Sequence, residues 1–260
     1  MKNIPVSFLA MASAFLAVTT VRATIVDTAI SNTSQIRSAT NNPYFGAGNT
    51  ANLVGLNLMF THPIPGGSSL NGVLFDNINM GTPPTGTVNV TANQSGVTLT
   101  VGTPGARDNS ARSLSYSGAG GANATVLNNL LQDITYLASG GGNLLDIFSL
   151  SGLGASRNVY VQLIGGDSGW NGTVNVVANG NNIGEWTSTA ASSSALYGFN
   201  VTTDSSGSLG LNLSVATGNF AGIGGIIVLG EVTPVPEPAT WVLLCLGGIS
   251  LLTIRRKLAC

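Results

Sequence analysis

The sequence has little charge, and that charge is unevenly placed. Charged residues make up 7% of the 260 residues, against about 25% in an average soluble domain. Between Thr24 and Val232 there is no lysine, and four arginines against nine acidic residues leave a net charge of −5. Nucleic acids and anionic membrane surfaces repel an acidic, lysine-free body. We therefore expect no nucleic-acid partner.

Cysteine and histidine are almost absent. Cys245 and Cys260 lie in the last segment, and His62 is the only histidine. A body of about 200 residues can bury a sufficient core without disulfides. A zinc site needs several His, Cys or carboxylate ligands, and a Ser-His-Asp triad would need His62 as its base. His62 precedes Pro63 in a turn cluster, and no nucleophile-elbow sequence occurs. We predict no metal, no cofactor and no catalytic triad.

Paired carboxylates are the remaining route to catalysis, as in a glycoside hydrolase or lyase. The acids to consider are Asp133, Asp146, Asp167 and Glu185. We expect Asp133 on the solvated face of a helix and Asp146 on the outward side of a strand. No two of these acids are linked at a spacing typical of a catalytic pair. We predict that the protein is not an enzyme, and a hydrolase or lyase is the third-ranked function.

The N-terminus has the three parts of a secretory signal peptide. Lys2 supplies the positive charge, residues 6–18 form an apolar stretch, and Val21-Arg22-Ala23 places tolerated residues before a cleavage site. This pattern predicts a signal peptide over residues 1–23, removed after Ala23.

The C-terminal segment, residues 233–260, is also tripartite. Pro236-Glu237-Pro238 precedes 16 uncharged residues, Ala239 to Ile254, and the cluster Arg255-Arg256-Lys257 follows. Sixteen residues are slightly short of the roughly 20 that cross a bilayer. Interfacial Trp241 and snorkelling arginines make the length sufficient. We predict a transmembrane helix at about 239–254 with the basic tail 255–257 in the cytoplasm, which places the body on the far side of the membrane.

This tail resembles the PEP-CTERM sorting signal: V-P-E-P-A-T at 235–240, an apolar helix, then R-R-K at 255–257. The resemblance implies a Gram-negative exported protein that is anchored transiently in the inner membrane. It also implies an exosortase partner, which recognises Pro236, Glu237 and Pro238 with Arg255 and Arg256. The expected destination is the cell surface or the extracellular matrix, in association with exopolysaccharide and biofilm.

The body, residues 24–232, is dominated by strand signals. Apolar and polar residues alternate through 56–60, 159–163 and 209–215, the period-2 mark of half-buried strands. The run Ile226 to Leu229 is continuously apolar, so we expect it to be buried on both faces. Further candidate strands are 73–78, 86–92, 96–102, 112–117, 144–150, 182–187 and 196–203, separated by turn clusters. This organisation predicts an all-β fold, a single antiparallel β-sandwich.

One segment has helical spacing instead. Its apolar residues are Val126, Leu127, Leu130, Leu131, Ile134 and Leu137. We predict one short helix over 125–138, capped by Asn123 or Thr125 and ended by Gly140, that closes the open end of the sandwich.

Two short stretches echo each other: residues 86–93 match residues 172–179 at all but one position. Both are predicted strands. Duplication and coincidence of low-complexity composition remain open as explanations.

The second half of the body resembles a known fold. The stretch from about Leu144 to Leu229 contains, in this order, "FSLSGL", "RNVYVQLIGGDSGWNGTVNVVANG", "LYGFNVTTDSSGSLGLNLSV" and "GIGGIIVL". This order resembles jelly-roll domains of the galactose-binding-like type. The resemblance implies a jelly-roll-like sandwich.

One loop offers a candidate ligand site. Asp167, Trp170 and Asn171 combine an aromatic ring with polar groups, as carbohydrate sites do, and Trp186 is expected nearby. The alternative is that Asp167 and Asn171 form a turn while Trp170 plugs the end of the sandwich. Two function classes follow: a structural matrix protein with a non-catalytic body, or a carbohydrate-binding module that holds polysaccharide with the 167–171 loop.

Overall fold

The computed structural model describes residues 26–30, 32–42, 44–46, 48–59, 62–79, 88–91, 96–102, 108–111, 122–138, 145–165, 172–188, 195–218 and 220–232. The predicted signal peptide, the C-terminal tail, the 167–171 loop and the candidate strand at 112–117 lie outside these residues. Within the described ranges, no helix is both long and apolar enough to span a bilayer.

Sixteen strands and one helix make up the described fold. In chain order the strands are β1 Val26–Ala29, β2 Thr50–Met59, β3 Ser69–Leu70, β4 Val73–Leu74, β5 Asp76–Asn79, β6 Val88–Thr91, β7 Thr98–Gly102, β8 Asp108–Ala111, β9 Asp133–Ala138, β10 Leu145–Ser151, β11 Asn158–Gly165, β12 Gly172–Ala178, β13 Asn181–Ser188, β14 Ala195–Thr202, β15 Leu209–Gly218 and β16 Phe220–Glu231. The helix α1 is Ala122–Gln132, and a 3-10 turn occupies Thr33–Gln35.

The strands form two large sheets and one small hairpin. The eight-stranded sheet has the order β1-β14-β11-β16-β2-β5, with β9 paired to β16 and β8 to β9. The six-stranded sheet has the order β13-β12-β15-β10-β7-β6, and β3 pairs with β4. Every described pair is antiparallel except β2 with β5, which run parallel from Leu56 and Asp76. The predicted β-sandwich is confirmed, with one parallel pair at its edge.

The main core lies between the two sheets, as the period-2 pattern predicts. On β15, Leu209, Leu211 and Leu213 are fully buried, whereas the alternating Asn212 and Ser214 are partly exposed. The bulkiest side chains of this core are Trp186, Phe148, Tyr197 and Phe199. Alternation along each strand therefore places one face in the core, as expected for a sandwich.

A second core lies on the outer face of the eight-stranded sheet. Its members include Tyr160, Ile164, Leu196, Ile227 and Leu229 from the sheet, together with apolar residues from α1 and from residues 30–75. Ile226 to Leu229 is therefore buried on both faces, which confirms that prediction. The segment 159–163 is also buried on both faces, although alternation predicted only one. The reason is that a covering layer, drawn from distant parts of the chain, shields the outer face.

The predicted helix is only partly correct. The helix α1 begins three residues before the predicted 125 and ends at Gln132, and residues 133–138 form β9. Ile134, Thr135 and Tyr136 are β-branched or aromatic, which favours a strand, and β9 pairs with both β16 and β8. Asp133 therefore opens a strand and does not lie on a helix.

The position and the cap of α1 also differ from the prediction. The helix buries Val126, Leu127, Leu130 and Leu131 in the second core, on the outer face of the eight-stranded sheet, so it does not close an open end. Asn123 lies inside the helix, and its amide exchanges hydrogen bonds with Asn71, at 3.1 Å from the backbone N–H and 3.0 Å to the side-chain oxygen. That pairing joins the helix to the turn between β3 and β4.

The two echoing segments are both strands, as predicted. They contribute β6 and β12 to the six-stranded sheet, where β6 is an edge strand and β12 is next to the opposite edge.

Candidate functional site

The two ends of the sandwich are distinguished by the chain segments that begin there: the C-terminal segment at one end and residues 166–171 at the other. At one end, the Asn158 side chain donates a hydrogen bond to the Glu231 carboxylate at 2.9 Å, and the Val232 N–H donates to the Asn49 carbonyl at 2.7 Å. The C-terminal segment departs here, so we call this the tail end. Strand β11 runs away from it for seven residue steps, about 23 Å at about 3.3 Å per residue, and ends at Gly165. Residues 166–171 follow Gly165, so we call that the loop end.

The tail end is tightly bonded. The Arg157 guanidinium donates from Nε to the Glu231 carbonyl at 3.0 Å and from Nη1 to the Leu153 carbonyl at 3.4 Å. The Thr203 hydroxyl donates to the Gly154 carbonyl at 2.6 Å and accepts the Arg157 N–H at 2.8 Å. These bonds hold the end of β16, so the tail leaves the body from a fixed point.

Asp204 organises a turn at the same end. Its Oδ1 accepts the backbone N–H groups of Ser206 and Ser208, each at 2.8 Å, and the Ser206 hydroxyl at 2.6 Å. Hydrogen bonds to the ionised form favour it. The Ser206 side chain is the largest cause, and the pKa of Asp204 lies below its ordinary value of 3.8.

Asp204 should titrate below the pH at which the same residue titrates in the unfolded chain. Because its pKa is lowered on folding, its stabilising contribution is present above about pH 3.8 and is lost as pH falls through the lower folded value. Carboxyl NMR titration of the folded chain measures this midpoint. Ser206→Ala should move the midpoint upward, and a wild-type midpoint at or above 3.8 would contradict the assignment.

At the loop end, Trp186 supports the start of the loop from inside the core. It is fully buried, and its ring lies 6.0 Å from the ring of Tyr197 at an interplanar angle of 30°. A Cβ built on Gly165 would lie 3.1 Å from Cη2 of Trp186, so the indole reaches directly beneath the point where the loop begins. Trp186 therefore lies beneath Gly165 with its ring in the core and not toward solvent, and its predicted nearness to Asp167, Trp170 and Asn171 stays a prediction because those residues lie outside the described ranges.

The other members of the sequence-predicted site are placed as follows. Asp167, Trp170 and Asn171 lie outside the described residues. Glu185 precedes Trp186 on β13 and is exposed on the opposite side of the strand. His62 is half-buried, and its carbonyl accepts the Asn57 amide at 3.2 Å. The structure thus brings Trp186 to the loop end and leaves Glu185 on the outer face of the six-stranded sheet.

Metal ligation has no counterpart in the described ranges. There, no group of three or more His, Cys, Asp or Glu residues is arranged to hold a metal ion.

A groove of about 360 Å³ lies beside β2, and sequence reasoning missed it. Its lining residues are Asn52, Leu53, Val54, Gly55, Gly72, Val73, Leu74 and Asp76. Asp76 is buried at 8% exposure, and Leu74 is 45% exposed at the rim. The two lining segments are about 20 residues apart and meet because β5 pairs with β2, so no local motif could have indicated the groove.

Several solved structures resemble parts of the fold at low identity. A family 35 carbohydrate binding module from an environmental isolate is 20% identical and has a TM-score of 0.30, with 39% of this chain and 83% of that chain covered. A family 35 carbohydrate binding module from Clostridium thermocellum is 10% identical and has a TM-score of 0.33, with 55% of this chain and 98% of that chain covered. Bacteroides uniformis beta-glucuronidase 2 is 12% identical and has a TM-score of 0.43, with 72% of this chain and 18% of that chain covered. The chain therefore spans less than a fifth of that glucuronidase, and likenesses this distant say nothing about ligand or activity. No curated protein matches the chain.

The tail gives the informative match. Residues 234–257 match the PEP-CTERM protein-sorting motif. The match includes Pro236-Glu237-Pro238, the apolar run and the basic cluster Arg255-Arg256-Lys257. This chain therefore carries a PEP-CTERM protein-sorting motif, which marks it as an exported protein.

Proposed function

We propose that this is a structural protein of the bacterial cell surface or extracellular matrix, delivered there by its C-terminal signal. The signal peptide 1–23 directs export, the helix 239–254 holds the chain in the inner membrane, and an exosortase-type enzyme cuts near Pro236-Glu237-Pro238. The sorting motif at 234–257 is the observation that carries the proposal. The test is the substitution of Glu237, with which the Discussion begins.

The chemistry of the tail suits this route. Proline fixes φ and biases the residue before it away from helix, so the two prolines hold Glu237 in extended backbone. Arg255, Arg256 and Lys257 keep the far end of the span in the cytoplasm, which places Glu237 outside. Gly247-Gly248 at the centre of the span weakens the helix, consistent with a transient anchor.

The geometry of the body adds an orientation. Val232 is bonded to Asn49 at the tail end, and only five residue steps separate it from Glu237. Five extended residues span at most about 18 Å. Before cutting, the tail end is therefore held close to the membrane surface and the loop end points away from it.

A non-catalytic body agrees with the positions of the four acids whose side chains are described: Asp76, Glu185, Asp204 and Glu231. The carboxylates of Asp76, Glu185 and Asp204 lie in the groove beside β2, on an outer sheet face and in a tail-end turn. Glycoside hydrolysis needs two carboxylates that face each other within about 10 Å. Asp76 and Glu185 lie in different parts of the fold, away from the tail end. At the tail end, the carboxylates of Asp204 and Glu231 bind different partners, the 206–208 turn and the Asn158 amide.

The second candidate function is carbohydrate binding by the 167–171 loop. Two points favour it: in the proposed orientation the loop starts at the end of the body that is farther from the membrane, and the buried indole of Trp186 packs beneath that start. In this function Trp170 stacks on a sugar ring while Asp167 and Asn171 bond hydroxyl groups.

Trp170→Ala separates the two candidate functions. If the loop binds sugar, the substitution should weaken retention in polysaccharide-containing native gels by about tenfold, which is about 1.4 kcal/mol, and leave the unfolding midpoint nearly unchanged. If Trp170 plugs the sandwich, the unfolding midpoint should fall and retention should not depend on the ring. Ser205→Ala is the control, because Ser205 is exposed at the tail end and away from the loop, and it should change neither retention nor the unfolding midpoint.

A further inference from the structure

The outer faces of the two sheets are built differently. The eight-stranded sheet has an apolar outer face covered by α1 and by residues 30–75. No described element packs against the outer face of the six-stranded sheet, whose outward side chains on β7, β10, β12, β13 and β15 are half-exposed or exposed. We call this surface the open face.

The open face consists almost entirely of small hydroxyl and amide residues. The residues with described side chains include Thr98, Thr100, Ser149, Ser151, Thr173, Asn175, Val177, Asn182, Glu185, Thr187, Asn212, Ser214 and Thr217. One of them is charged and one is apolar. Sheet edges usually carry lysine and other charged side chains that oppose nonspecific strand pairing, and the body has no lysine at an edge or on this face.

These groups are in register from strand to strand. Thr98 is opposite Ser151 and Thr100 is opposite Ser149. Asn175 is opposite both Ser214 and Glu185, and the hydroxyls of Thr173 and Thr187 lie 3.2 Å apart. Hydrogen-bonding groups thus recur across five strands at about 4.8 Å per strand, over about 19 Å. The spacing between neighbouring strands, about 4.8 Å, is close to the length of one sugar ring in an extended glycan.

The composition of the face also lowers the cost of binding. Serine and threonine have one side-chain torsion to fix, whereas lysine, arginine and glutamate lose about 1.5–2 kcal/mol of rotamer freedom when immobilised. A surface without cations does not attract polyanions, and the acidic body repels them. Hydroxyls and amides are both donors and acceptors, which matches a neutral polymer that presents hydroxyl groups.

We propose that the open face binds an uncharged polysaccharide laid across the strands, with successive sugar rings over successive strands. The inference builds on the proposed function only in assuming that the exported body meets polysaccharide. It differs from the loop candidate in its residues, because it uses Ser149 and Asn212 at the centre of the six-stranded sheet and not Trp170.

The test compares lysines placed on and off the face. The double variant Ser149→Lys/Asn212→Lys adds two charges and long side chains to the centre of the open face. Its control, Ala155→Lys/Ser205→Lys, adds the same charge at exposed positions of the tail end. The conservative double variant Ser149→Thr/Asn212→Thr keeps hydrogen bonding and strand propensity. The purified chain is run in native gels with and without hydroxyethyl cellulose, galactomannan or alginate, so that charge effects on mobility cancel. Circular dichroism checks folding.

Retardation by one or both uncharged polymers is expected, with none by alginate. The affinity should fall at least about tenfold in the lysine face variant and be retained in the control and the threonine variant.

The proposal is overturned if the wild-type chain is not retarded by either uncharged polymer, or if the control weakens binding equally. It is also overturned if Trp170→Ala abolishes binding while the face variants bind normally. A wild-type dimer that the face variants dissociate would show that a second copy covers the face instead. None of these results depends on whether Glu237→Ala is processed. Failure of the face-binding proposal therefore leaves the proposed sorting route intact, and failure of the sorting route leaves the face-binding proposal intact.

Discussion

Replacing Glu237 by alanine is expected to leave membrane insertion intact and to block processing. Insertion depends on the apolar run and the basic cluster, which the substitution does not touch. In the proposed route, recognition outside the membrane depends on the extended peptide and on its one carboxylate, since Pro236 and Pro238 carry no charge. We expect uncut chain to accumulate in the inner membrane and the mature form to fall by about tenfold or more, by analogy with the loss of one charge-assisted contact, which is worth about 1.5–3 kcal/mol.

Fractionation and intact-mass measurement give the result. Glu231→Ala is the matched control, because it removes a carboxylate six residues upstream and costs only the hydrogen bond from Asn158. That control should be processed normally. A wild-type surface protein that still ends at Cys260 would show that the tail is an ordinary permanent anchor. Normal processing of Glu237→Ala would show that the Glu237 carboxylate is not needed for recognition.

Trp186→Ala is expected to be the most destabilising single substitution in the main core. The indole is fully buried, packs on Tyr197 and reaches beneath Gly165 at the loop end. Truncating a buried tryptophan to alanine costs about 3–5 kcal/mol, a large part of the 5–15 kcal/mol by which a typical domain is stable. The urea midpoint, followed by circular dichroism, should therefore fall steeply, and the loop end should lose its support.

The neighbouring position provides the control. Thr187 lies on the same strand and is exposed on the open face. Thr187→Ala removes strand propensity and an exposed hydroxyl contact with Thr173, so it should change the free energy of unfolding by no more than about 1 kcal/mol. Equal midpoints for Trp186→Ala and wild type would be incompatible with an indole inside the core.

Local pattern was sufficient for most strands of the sandwich. Leu209, Leu211 and Leu213 point into the core because adjacent residues on a strand point to opposite faces, a property of the backbone itself. The same reasoning placed Ile226 to Leu229 inside the molecule. The sorting signal was also readable from sequence, because its chemistry lies in contiguous residues: Pro236-Glu237-Pro238, an apolar run and a basic cluster.

The helix boundary shows where local pattern stopped being sufficient. Ile134 and Leu137 continue the helical spacing of Leu127 and Leu130, and that spacing predicted one element to 138. The chain instead leaves the helix at Gln132, because residues 133–138 can pair with β16 and β8. The hydrogen bonds that β9 makes with β16 and β8 outweigh the helical periodicity of its apolar residues. A short window of sequence around β9 does not include those two strands.

What the sequence by itself determined was the all-β class, the inward face of most strands and the sorting signal, since each depends on neighbouring residues. Which outer sheet face is covered was decided only by the tertiary structure. Gln162 alternates like a solvent-facing residue, yet it is 3% exposed because it accepts the Arg37 N–H at 2.9 Å and donates to the Gln35 carbonyl at 3.0 Å. Those partners are more than 120 residues away in sequence. The groove beside β2, the placement of Trp186 under Gly165 and the uncovered open face have the same origin: they depend on how distant segments pack, and packing is a property of the whole chain.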